Sequence, residues 1–329
     1  MLTTALIDPI RALLASFLDS LLCSAFVGLS ESILNGACSV YNTFIGYAIT
    51  LLTQSPTNWN GGSGWSVVTG LNQVFITVGG ILVIIFWAIS LCTDSLDVRM
   101  NLRAEVVIKE LAKLVVVEFF VLNSITIVEA FFGLADYLCA GMLPSASEIN
   151  LSIPADVTAY LDKLGDKTNF LMATFESMGG DDVGMATGAD VGAAIATTLF
   201  SLVFLIVVFA CSLTILYRAY VRFFKVLILA PYGAMVSSTL VGPPSINHSA
   251  ISYFKYVLSV VLEVVTMIIA LRLASSMMVN GIVNLGGGNV SVTDQSTMLQ
   301  WIAQSCFIVL LTSGVCKESE GITQKALGM

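Results

Sequence analysis

Five charged residues stand inside stretches that are otherwise apolar: Glu118, Glu129, Asp136, Glu263 and Arg272. The first three are separated by 11 and 7 residues, which at about 100° per residue puts them within about 20° of one helix face. Carboxylates at membrane depth are costly and face a polar cavity, a pore or a partner. Counted back from the ends of their apolar runs, Glu129 and Arg272 fall at similar depth, so an intramembrane ion pair between them is expected. Such a polar set either lines a water-filled path or bridges helices, and the residues alone leave both open.

Enzymatic chemistry finds little to stand on. The single histidine, His248, sits in a short polar loop, and there is no Walker A loop, no His-Glu-x-x-His and no nucleophile elbow. The seven cysteines (Cys23, Cys38, Cys92, Cys139, Cys211, Cys306 and Cys316) are scattered without a Cys-x-x-Cys pair, as small packing residues would be. Gly286-Gly287-Gly288-Asn289 lacks the strand-to-helix setting of a phosphate loop. No catalytic residue, metal site or cofactor is expected, and the chain does not read as an enzyme.

The elements that must position these residues follow from composition. Of 329 residues, 57% are hydrophobic and 11% charged, with mean hydropathy +0.91. Soluble domains run at about 45–50% apolar and about 25% charged, so a water-covered globule is excluded. A net charge of −8 also excludes a fold built around a basic nucleic-acid face. The expected class is all-α: a polytopic helical membrane protein.

A bilayer core of about 30 Å takes about 20 apolar residues per helix. Five segments qualify: 66–93, 111–140, 191–217, 254–283 and 298–316. Basic residues cluster in alternate connections, with Arg99, Arg103, Lys109 and Lys113 after the first span and Arg218, Arg222 and Lys225 after the third. The connections 54–65 and 284–297 hold none, and 141–190 holds Lys163 and Lys167 among eight acidic residues. Under the positive-inside rule residues 1–65 are outside, 141–190 form a large exterior loop, and 317–329 are a cytoplasmic tail. A cleaved secretory signal is not expected, since no basic region precedes the first apolar stretch.

Asp8-Pro9 reads as a helix start, opening an amphipathic helix over 8–27 that lies on the membrane or against partners. Residues 28–53 are expected as a second interfacial or packed helix rather than a sixth span, because Glu31, Asn35, Ser39 and Asn42 make a poor lipid face. In the exterior loop, 154–178 holds two short amphipathic patterns, the first on Val157, Tyr160, Leu161 and Leu164. Gly184, Gly188 and Gly192 lead into the third span as a small-residue ladder for close helix approach, within the chain or between subunits. The apolar run 226–242 contains Pro231 and Gly233, which are expected to break a helix, leaving a kinked extension, a re-entrant segment or an interfacial one.

Thr53-Gln-Ser-Pro56-Thr-Asn-Trp59-Asn-Gly-Gly62 before the first span, Arg218-Ala-Tyr-Val-Arg222-Phe-Phe-Lys225 with Ala230-Pro231-Tyr232 and the closing Lys325-Ala-Leu-Gly328 carry a resemblance. Together with the span arrangement they resemble the TrbL/VirB-six family, the polytopic inner-membrane channel components of type IV secretion and conjugation machines, in the form found in Gram-positive conjugative elements. The likeness runs over nearly the whole chain, and lysine is scarcer here than in such proteins. It implies a homo-oligomer working with the system's ATPases, other membrane subunits and an exterior pilus-like or wall-hydrolase component. Membrane lipids would surround it, and translocated DNA or protein would touch it only transiently. Were DNA to touch the chain, the basic clusters Arg99/Arg103/Lys109/Lys113 and Arg218/Arg222/Lys225 are the candidates, although topogenic and lipid-headgroup roles explain the same residues. A stand-alone solute transporter or ion channel built on the polar set is the competing expectation.

Overall fold

The computed structural model describes residues 2–96, 104–142, 150–166, 188–280 and 295–329, and among them there is no strand. The helices are α1 (Leu2–Thr53), α2 (Ser63–Leu96), α3 (Ala104–Leu122), α4 (Ser124–Met142), α5 (Ala155–Asp166), α6 (Gly188–Ser237), α7 (Pro244–Asn280) and α8 (Gln295–Ala326). Two 3-10 turns, Trp59–Gly62 and Ser238–Val241, precede α2 and follow α6. Asn60 and Gly61 take positive φ in the first of these, a conformation asparagine and glycine tolerate better than other residues. The chain is thus an all-α polytopic protein of membrane type, as its composition requires.

Six helical stretches are long and apolar enough to cross a bilayer: Leu21–Thr53, Trp59–Thr93, Ser124–Met142, Val191–Val241, Ile246–Met278 and Met298–Ala326. That is one more than the five expected. The addition is the region 28–53, which belongs to the uninterrupted helix α1. Two of its polar residues are used inside the protein, Ser30 hydrogen bonding with Thr198 at 2.8 Å and Asn42 bonding the backbone of Leu151 in both directions, while Glu31, Asn35 and Ser39 are exposed. Helix α1 also begins at Leu2, so Asp8 and Pro9 lie within it and not at its start.

Three other boundaries differ from expectation. The segment 111–140 is not one helix, because α3 and α4 part at Asn123. There the Asn123 side-chain amide donates to the Phe119 carbonyl at 2.9 Å, competing with the backbone N–H for the same acceptor. Conversely, Pro231 does not end its helix. α6 runs through it to Ser237, and the stop comes at Gly242-Pro243-Pro244, where Gly242 turns extended. Proline removes one N–H and kinks a helix. Tyr253 Oη donates to the Leu229 carbonyl at 2.6 Å, one of the groups in the loosened turn. Finally, 317–326 is helical, forming the last three turns of α8.

The residues divide into two compact units. The first comprises 1–46, 147–214 and 271–314. In it α5 buries Val157, Tyr160, Leu161 and Leu164, so the first of the two amphipathic patterns forms as expected; the second, around Phe170 and Phe175, lies outside the described residues. Phe204 stacks on Trp301 at 5.7 Å between ring centroids, and Phe44 meets Phe209 edge-on at 5.8 Å. The second unit comprises 47–146, 215–270 and 315–329. Its apolar cluster is Val83, Val117, Val121, Ala234 and Val241, with Phe75, Ile76, Trp87, Leu114 and Leu240 around it. Gly79 makes this packing possible, since a Cβ there would sit 2.8 Å from the Ala234 carbonyl oxygen.

Large apolar residues stay exposed on the same helices, among them Val74, Ile84, Val115, Phe119, Leu199, Ile206 and Leu273. In water such surface would drive aggregation; facing lipid tails it is at no disadvantage. The core holds polar side chains instead, and these define the site.

Candidate functional site

Within the second unit, α6, α7 and α8 converge a set of polar side chains that the periodicity of each helix brings to one face. On α6, Arg222 and Lys225 are three residues apart and so share a side. Arg222 is buried, and its Nε and Nη2 donate to the carbonyls of Val260 and Val261 at 3.2 and 3.1 Å. Helix carbonyls have a second lone pair, so α7 can accept these bonds without losing its own ladder. Lys225 reaches past α7 to pair with Glu320 of α8, and Tyr256 Oη donates to the other oxygen of that carboxylate at 3.3 Å.

One to two turns further along α7, Glu263 is 3% exposed. Ser319 Oγ donates to its Oε1 at 2.7 Å, while Oε2 is buried without a hydrogen-bond partner. Thr266 and Thr323 are hydrogen bonded at 2.8 Å, and Thr323 donates to the Ser319 carbonyl, which continues the polar seam between α7 and α8. The charges acting on Arg222 include Glu263 and Asp136. The bonds of this geometry join α6 to α7 through Arg222 and α6 and α7 to α8 through Lys225, Tyr256, Glu263 and Thr266.

The expected residues are distributed as follows. Glu118 is half-buried on α3, with Oε1 3.8 Å from where a Cβ on Gly80 would lie. Glu129 and Asp136 follow on α4, which one residue separates from α3, and i→i−4 backbone bonds from Asn123 to Phe119 and from Ile127 to Asn123 run across the junction. Glu129 is held otherwise than expected: its partner is Trp65, whose Nε1 donates to Oε1 at 3.0 Å. Arg272 is an exposed residue of the first unit. Of the acidic set, Glu263 is the one hydrogen bonded into the network.

The glycine ladder fares differently again. Gly184 lies outside the described residues, Gly188 is the first residue of α6, and Gly192 is exposed, with open space where its Cβ would be. It makes no close approach within the chain; Gly79 does. Of the basic clusters, Arg99 and Arg103 lie outside the described residues and Lys109 is exposed. Lys113 donates to the Gly242 carbonyl at 3.4 Å and stands 4.0 Å from Glu110. Arg218 is half-buried.

The residues that sequence reading missed are Trp65, Tyr256, Ser319, Glu320 and Thr323. Ser319, Glu320 and Thr323 lie beyond the fifth apolar run, where Ser319 and Thr323 are spaced by about one helical turn and both are buried. That i, i+4 spacing was the available signal. In the first unit, a separate open cleft of about 660 Å³ is lined by Asn35, Ser39 and Asn42 of α1 with Ser152 and Thr158.

No family model, curated protein or solved structure matches the chain.

Proposed function

We propose that this chain is a membrane channel or scaffold subunit of a type IV secretion machine of the conjugative-transfer kind, an oligomeric frame beside which DNA or protein crosses the cytoplasmic membrane. The reading rests on the resemblance of the Arg218–Lys225 and Ala230-Pro231-Tyr232 segments to that family. One structural observation supports a framing role over direct grip on nucleic acid. Arg222, the centre of the basic cluster, is spent on the carbonyls of Val260 and Val261. Phosphate contacts need free cations, and this one holds two helices together.

Six crossings suit the basic-residue asymmetry as well as five did. They leave 54–65, 141–190 and 284–297 on the exterior side and change only the N-terminal residues, which move inside with the C-terminus. ATPases, further membrane subunits and an exterior pilus-like or wall-hydrolase component are the partners this reading calls for, with lipid around the exposed apolar faces.

The test is transfer of the genetic element that carries the gene. In-frame deletion should abolish transfer, and the wild-type chain supplied elsewhere should restore it. Unchanged transfer would discard the reading. The alternative, a stand-alone solute transporter or ion channel, draws on the buried Arg222 and Glu263; solute flux into vesicles holding the purified chain alone would favour it.

A further inference from the structure

Glu263 presents a problem of charge. Its side chain is buried in the second unit, Oε1 accepts one hydrogen bond from Ser319, and Oε2 has none. No cation among the described residues is paired with it directly. Arg222 donates to Val260 and Val261, Lys225 pairs with Glu320, and Glu263 forms no ion pair among the described residues. An ionised carboxylate with one oxygen bare to an apolar interior is the costly state of this group, and a neutral carboxyl is the cheaper one.

We propose that Glu263 is a proton-binding site within the helices, carrying its proton on Oε2. The titratable groups around it are Arg222 and Lys225 from α6, Glu320 and Cys316 from α8, and Tyr256 on its own helix. A carboxyl so placed takes up and gives up a proton inside the membrane-crossing segment, and this holds whatever cargo the protein serves.

The direct test uses the wild-type protein in its native membranes and dicyclohexylcarbodiimide. That reagent adds to protonated carboxyls in apolar surroundings: the acid proton passes to a diimide nitrogen, the carboxyl oxygen bonds the central carbon, and rearrangement gives a stable N-acylurea that keeps every atom of both. Peptide mass mapping should find the adduct on Glu263 in acidic buffer and several-fold less of it in alkaline buffer. An unmodified Glu263 in a sample where Asp136 or Glu118 is labelled would overturn the proposal. Glu263→Gln supplies the second arm, being a neutral isostere of the protonated acid. It should accumulate and melt like wild type in acidic buffer. A markedly lower melting temperature there would mean that the native group is an ionised partner of Arg222, and would overturn the proposal too.

Discussion

Trp65 at the start of α2 donates its indole N–H to Glu129 of α4 at 3.0 Å, and the same indole packs edge-on against Phe132 at 5.6 Å. One side chain therefore fixes both the depth and the rotation of α4 against α2. The carboxylate keeps a donor in surroundings where it would otherwise have none.

That arrangement predicts a coupling. Trp65→Phe and Glu129→Met should be non-additive, with an interaction of about 1 kcal/mol, the scale of hydrogen bonds between membrane helices. Thermal or denaturant unfolding of the two single variants and the double variant in detergent measures it. Additive losses would show that the bond contributes nothing.

Gly79 and Gly192 should respond in opposite ways to one methyl group. At Gly79 the new Cβ meets the Ala234 carbonyl at 2.8 Å, and Gly79→Ala should cost about 1–3 kcal/mol, as overpacking does. Gly192 has open space, so Gly192→Ala should leave monomer stability the same or raise it by up to about 1 kcal/mol through helix propensity. Melting curves of both variants decide. A Gly192→Ala variant that melts as the monomer should but loses higher oligomers on a native gel would locate subunit contact at the ladder.

Arg222→Lys is the substitution that separates packing from charge. Lysine keeps the positive charge, but its ammonium cannot reproduce the fork to Val260 and Val261. The variant should lose about 1–3 kcal/mol of stability, while Lys109→Ala, at an exposed position, should lose none. Equal effects of the two on stability would contradict the buried role. An undiminished Arg222→Lys protein with weakened, salt-dependent DNA association would revive the phosphate-binding reading.

The number of crossings is open to labelling with an impermeant thiol reagent on whole cells, in a background with the native cysteines replaced. With α1 crossing, a single cysteine placed among residues 2–12 is protected and one at Ser55 is labelled. With α1 lying on the outer surface, both are labelled. Cysteines beyond Lys317 are protected in either case, and labelling there would reverse the orientation altogether.

The class of this protein was legible from composition alone. With 57% hydrophobic and 11% charged residues no other surface than an apolar one can be made, and the apolar runs at 66–93, 191–217 and 298–316, with 254–280 of the fourth, reappear within helices. The pattern of Val157, Tyr160, Leu161 and Leu164 was equally readable, since it depends on neighbours one turn away. Such features are sums or periods along the chain, and the chain carries them without reference to anything distant.

Pairing is different, because it depends on how far each helix is rotated and slid against others, and that is set by contacts between residues far apart in sequence. Similar depth suggested Arg272 for Glu129, but the indole of Trp65, 64 positions away, is what meets it. Arg222 looked like a topogenic surface charge until the carbonyls of α7 were brought to it. Glu31, Asn35 and Asn42 argued against α1 as an apolar crossing helix, and only the arrival of Leu151 shows where the Asn42 amide is satisfied. Pro231 leaves its helix intact for the same reason. The sequence by itself determined an all-α protein of membrane type, since that is a matter of total apolar surface. Which polar groups meet, and which one is left without a partner, was decided by tertiary packing, because hydrogen bonds act over about 3 Å and only the folded arrangement brings these groups that close.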